Sequence, residues 1–141
     1  MAKQAKRKST KTKSTMGKSV WAVVAGVLVI IVVTTLVDVL LHLLKVYPGW
    51  DQPLNNGLAV LATAYRIVIS VAGAYLTARL APARPLRHAM ILGYVGTVLG
   101  LLGVAATWGK GMGPTWYPIA LAVLAVPQCW LGGWIYEKRN A

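Results

Sequence analysis

The sequence predicts an all-α fold: a four-helix transmembrane bundle with a disordered basic N-terminal tail. Three observations carry that reading. Four apolar stretches reach the roughly 20 residues needed to cross a hydrocarbon core. Clusters of Pro and Gly separate them. Within them, small residues recur at helical spacing, as they do where membrane helices pack backbone to backbone. Composition agrees: of 141 residues, 57% are hydrophobic and 13% charged, with a mean hydropathy of +0.59. A soluble domain carries about twice that share of charge.

Residues 1–18 (MAKQAKRKSTKTKSTMGK) contain Lys, Ser and Thr and no aromatic or branched aliphatic side chain. Such a segment cannot bury a core, and disorder is expected there. The formal charge of +12 is concentrated rather than spread: seven of the 15 Lys and Arg precede Ser19, with no acid among them. Without interleaved aromatics, a basic tail tethered beside a membrane points to anionic lipids rather than nucleic acid. The alternative readings are an acidic face on a larger complex, or a solvated tail that only enforces topology.

The first span is expected from about Val20 to Val46, too long for the hydrophobic core of a signal peptide. The second is expected from Gly57 to Leu80, the third from Leu86 to Thr107 and the fourth from Trp116 to Ile135. Residues 19–136 thus form a four-span membrane domain, and 137–141 a short C-terminus. Twelve Lys and Arg fall on the side that holds both termini, against Lys45 and Lys110 on the other. The positive-inside rule then places both termini in the cytoplasm. Trp50, Trp108, Trp116 and Tyr117 form an outer aromatic belt, and Trp21, Trp134 and Tyr136 an inner one.

The third span carries Ala89, Gly93, Gly96, Gly100, Gly103 and Thr107 at intervals of three and four. Gly73 in the second span and Gly132 in the fourth lie on comparable small-residue stripes. These glycines are the expected helix-packing contacts.

Ionisable groups inside the spans stand out, because a charge at the centre of a membrane helix costs roughly 2.5–3.5 kcal/mol. Arg66 lies on the small-residue stripe of the second span, and Thr35, Asp38 and His42 share a face of the first. Counted inward from the outer loop at 1.5 Å per residue, Asp38 and Arg66 lie at matching depths of roughly 12 and 13–14 Å. A bidentate Asp38–Arg66 pair is expected, with Thr35, His42 and Tyr65 as further members of a buried polar cluster. The cluster reads as a structural clasp, as a proton or ion relay, or as a contact for another helix. His42 alone could ligate a pigment or haem, but no His-x-x-His or Glu-x-x-His spacing accompanies it. No cofactor or metal is implied, and the lone Cys129 excludes an internal disulfide. Paired carboxylates and a nucleophile with a base on its face are both missing, so no enzyme is indicated.

The runs Asp38-Val-Leu-Leu-His42, Ala62-Thr-Ala-Tyr65-Arg66, Ala78-Arg79-Leu-Ala-Pro82 with Arg84-Pro85, and Trp116-Tyr117-Pro118 resemble a group of small four-span bacterial inner-membrane proteins with no assigned function. The resemblance covers roughly residues 17–136. It implies a bacterial source and a four-helix fold, and transfers no activity or ligand. The residues themselves indicate a non-enzymatic accessory or scaffolding subunit of a larger membrane assembly, or a self-associating bundle. A small ion-coupled carrier built around Asp38, His42 and Arg66 is the alternative.

Overall fold

The computed structural model describes the backbone of residues 2–49, 52–53, 55–111 and 113–140, and side chains within those ranges from residue 16 onward. It consists of four helices: α1 (Ala2–Leu43), α2 (Asn56–Leu80), α3 (Pro85–Thr107) and α4 (Trp116–Asn140). All four are long and apolar enough to span a membrane; in α1 that portion is Met16–Leu43. The chain is a multi-pass membrane protein by this measure.

Each helix end has a local cause. After Leu43 the chain closes back on α1: Lys45 adopts φ +60, and the Val46 and Tyr47 amides both donate to the Leu41 carbonyl at 3.0 and 3.2 Å. That left-handed closure ends the helix three residues before the expected Val46. Asn55 caps α2, its side chain accepting from the Leu58 amide at 2.8 Å. Pro85 opens α3, where a missing N–H costs nothing. The α3 amides instead find an acceptor from another helix: Glu137 Oε1 receives the Leu86 N–H at 3.2 Å. Helix α4 continues through Lys138 and Arg139 to Asn140, beyond the expected Ile135.

At the other end of α1 the backbone of the basic tail is helical from Ala2 and runs unbroken into the membrane span. Ala, Lys, Arg and Gln favour helix, and extending an existing helix needs no new nucleus. Side chains of the basic tail, and Trp50 of the expected outer belt, lie outside the described residues.

Helix α2 is the hub. It packs against α1, α3 and α4, whereas α1 and α4 do not meet among the described residues. The Trp116 indole donates to Asn56 Oδ1 at 3.0 Å, joining the starts of α2 and α4. Thr77 near the end of α2 bonds Ala22 of α1, and Glu137 near the end of α4 bonds the start of α3. The start of the α1 span and the C-terminal end of α4 therefore share one end of the bundle.

Small residues build the interior. The α2 positions that are buried are Ala59, Ala62, Ser70, Gly73, Ala74, Thr77 and Ala78. A Cβ placed on Gly93 would lie 3.0 Å from Val126 Cα, one on Gly96 3.2 Å from Ala125 Cβ, and one on Gly100 2.8 Å from Ala122 Cα. The glycine face of α3 is thus pressed against α4. Gly132 of α4 faces Ala74 of α2, where a Cβ would come within 2.7 Å of the Ala74 Cβ, and Gly73 faces Ile30 of α1. Gly103 departs from the expectation: nothing lies within 4 Å of where its Cβ would be. By that point α3 and α4 have diverged. Gly26 and Gly133, which the spacing did not single out, are close contacts against Thr77 and Ala89.

Candidate functional site: the polar clasp between α1 and α2

The clasp sits at the loop end of the α1–α2 interface. Asp38 is on α1, five residues before the helix ends, and Tyr65 and Arg66 are on α2. Arg66 Nη2 donates to Asp38 Oδ2 at 2.7 Å, with 29% of the Arg66 side chain and 22% of the Asp38 side chain exposed. The other carboxylate oxygen, Oδ1, accepts from the Tyr65 hydroxyl. Both Asp38 oxygens are therefore engaged by α2. The contact uses a single guanidinium nitrogen, so the expected bidentate fork is not formed. Arg66 Nε is instead buried with no partner among the described residues.

Above the pair, the chain folds back. Tyr47, only 6% exposed, sets its hydroxyl 2.8 Å from that of Tyr65. The Tyr65 proton goes to Asp38, so the Tyr47 hydroxyl is the donor in this second bond. The result is a directed chain, Tyr47 to Tyr65 to Asp38, with Arg66 on the far oxygen. Burial raises the Tyr47 phenol above its ordinary value, and the nearby Asp38 charge adds to that.

His42, one turn along from Asp38, donates from Nδ1 to the Asp38 backbone carbonyl at 2.7 Å. A carbonyl can only accept, which fixes that nitrogen as the protonated one. Its ring meets the Tyr47 ring edge-on, with centroids 5.2 Å apart. His42 thus borders the clasp.

Thr35 does not join. It is exposed, whereas Thr34 is 6% exposed and faces the bundle. The positions of α1 that meet α2 advance in steps of four (Ala22, Gly26, Ile30, Thr34, Asp38), which suits a helix crossing its neighbour. The step of three assumed from Asp38 back to Thr35 rotates the wrong threonine inward. Sequence reasoning also missed Tyr47. Its signal was present: an aromatic residue directly after the span, followed by Pro48-Gly49, is turned back onto the helix end. Tyr117 of α4, half-buried, stands in electrostatic contact with Arg66 and brings α4 to the edge of the cluster.

Among the described residues no group of three or more His, Cys, Asp or Glu side chains converges to hold a metal ion. Cys129 is buried among Ala74, Ala89 and Leu92, where it serves as a small apolar side chain. At the opposite end of the bundle, Lys138 lies 4.8 Å from the Trp134 ring and Arg139 6.0 Å from the Tyr75 ring. Long cationic side chains there lie along interfacial aromatics.

No protein-family model, curated protein or solved structure matches this chain.

Proposed function

We propose that this is a non-enzymatic accessory or scaffolding subunit of a larger assembly in a bacterial inner membrane, with both termini in the cytoplasm. The observation that supports it most is the saturation of Asp38 by Tyr65 and Arg66 under the Tyr47 lid. A carboxylate occupied on both oxygens acts as a register clasp between two helices; a carrier needs it open to an ion in at least one state. The distribution of packing supports the same reading. Helix α1 rests on α2 and α3 alone. The exposed surface of its membrane span includes the apolar side chains of Leu28, Val32, Leu36 and Leu40, one turn apart along the helix. The partner is then another membrane helix, from a second subunit or from a second copy of this chain. The orientation follows from the excess of Lys and Arg at the end that holds both termini, and the basic tail adds attraction to anionic lipids.

Extraction of the chain from its native membrane in mild detergent tests the proposal. A complex larger than the 15.1 kDa protomer is expected, and it should be lost when Val32 and Leu36 are both replaced by Trp. A monomer free of companions would overturn it. The second reading, an ion-coupled carrier, draws on the partial exposure of both charged side chains, 29% for Arg66 and 22% for Asp38. Ion-dependent uptake into proteoliposomes, abolished by Asp38→Asn, would establish that reading instead.

A further inference from the structure

A cleft between α3 and α4 has a local origin. Helices α3 and α4 touch closely at Gly93, Gly96 and Gly100 and then part, so that Gly103 continues the glycine face with no helix opposite it. Between the diverging ends lies a cavity of about 410 Å³, lined chiefly by Gly103, Val104, Thr107, Trp108, Tyr117 and Pro118. The loop that closes it bears three glycines with positive φ: Gly109 (+73), Gly111 (+65) and Gly113 (+149). Those conformations are costly for any residue with a Cβ, so this wall is held open by backbone that only glycine adopts freely.

The lining determines what fits. Among the described residues it contains no ionised side chain, which excludes a charged occupant: an ion there would lose its hydration without gaining a partner. Trp108, Tyr117, two prolines (Pro114 and Pro118) and Val104 give it flat apolar walls. The Thr107 hydroxyl is already committed to the Gly103 carbonyl at 2.8 Å. The carbonyls of Val104 and Thr107 are taken by the Trp108 and Lys110 amides. At the start of α4 the Tyr117 amide is taken by the Pro114 carbonyl at 3.2 Å and Pro118 has no N–H, so the donor at that end of the lining is the Thr115 hydroxyl. A volume of this size lies in the range of small-molecule sites, which are mostly apolar with a few placed polar groups.

We propose that this cleft binds a neutral, ring-sized apolar molecule carrying a hydrogen-bond-accepting oxygen. The apolar ring packs between Trp108, Tyr117 and Pro118, and the oxygen faces the Thr115 hydroxyl at the start of α4. Gly103 keeps the floor clear, which explains a glycine on the packing face where there is nothing to pack against. The proposal is independent of the scaffolding role.

Photolabelling of the purified full chain in nanodiscs tests it, with a diazirine-bearing cyclohexanol as probe and a diazirine-bearing single-chain fatty alcohol as comparison. The expected result is saturable cyclohexanol labelling between residues 103 and 118, competed by unlabelled cyclohexanol and on the order of tenfold weaker in Gly103→Leu. The added side chain fills the floor without meeting a neighbour, so the variant should keep wild-type thermal stability. Should it fail to fold, Thr115→Leu blocks the same space from the loop and should give the same loss. Three results would each overturn the proposal: labelling spread over the lipid-facing surface without saturation, labelling unchanged in the filled variants, or saturable labelling by the fatty alcohol alone.

Discussion

The Thr77 hydroxyl donates to the Ala22 carbonyl at 3.0 Å, in a position where neither residue is exposed. It ties α2 to α1 at the end of the bundle remote from Asp38 and Arg66. Polar contacts thus hold this helix pair at both ends, and between them the interface is Gly26, Gly73 and Ile30 in close approach. In an apolar medium the hydrophobic effect does not drive helices together, so hydrogen bonds and tight packing share that task.

Asp38→Ala should lower stability by roughly 3 kcal/mol, because it orphans a guanidinium that already has one unpartnered nitrogen. Arg66→Ala should cost less, since an unpaired carboxylate can take up a proton and arginine cannot lose one. The double change Asp38→Ala with Arg66→Leu should recover much of the loss. Unfolding in mixed micelles measures all three, and a double variant no better than Asp38→Ala would contradict the pairing.

Gly100→Leu should destabilise strongly and Gly103→Leu hardly at all, though both lie on one glycine stripe one turn apart. The first forces a side chain into Ala122, at about 1–3 kcal/mol or more for overpacking; the second enters open space. Thermal melting of the two variants side by side distinguishes them.

Glu137→Gln should weaken the start of α3 by about 1 kcal/mol, through loss of a charge-assisted cap on the Leu86 amide. Faster hydrogen exchange confined to residues 86–89 is the expected sign. Uniform exchange across the bundle would mean that Glu137 acts elsewhere.

The Tyr47 phenol gives an alkaline dependence. Its value in the folded state is raised, mainly by burial. Its contribution is therefore complete below the unfolded value of about 10 and is lost as pH rises beyond that. Stability should fall above about pH 10 more steeply in wild type than in Tyr47→Phe. Parallel curves would show that Tyr47 is not held in the buried position.

A chain starting at Met16 should still insert in the same orientation, because Lys18, Arg79, Arg84 and Arg87 remain on the tail side. Its binding to anionic vesicles should fall and become less sensitive to salt. Labelling of single introduced cysteines on either side of the membrane reports the orientation.

Much of this was legible in the sequence, for identifiable reasons. Span length and punctuation fixed the four helices to within a few residues at most ends, and matched depth identified Asp38 with Arg66. Periodicity could not decide between Thr34 and Thr35, because that choice depends on the angle at which α1 crosses α2. Tyr47 and Glu137 were illegible for a different reason: each acts on an element distant in sequence, through a loop reversal or another helix. The divergence of α3 and α4 at Gly103 was hidden as well, since a glycine looks the same beside a neighbour and beside a void.

The absence of contact between α1 and α4 bears on biosynthesis. Helix α1 emerges from the ribosome before α2, carrying Asp38 with its partner not yet made, and among the described residues the surfaces that receive it belong to α2 and α3. A lone acid is a poor passenger in the lateral gate of a translocon, and a lone arginine no better. Delivered together as a hairpin, the two neutralise each other before either meets lipid. The Asp38–Arg66 bond therefore makes α1 and α2 a single cargo, and α4 a late arrival that closes on a hub already in place.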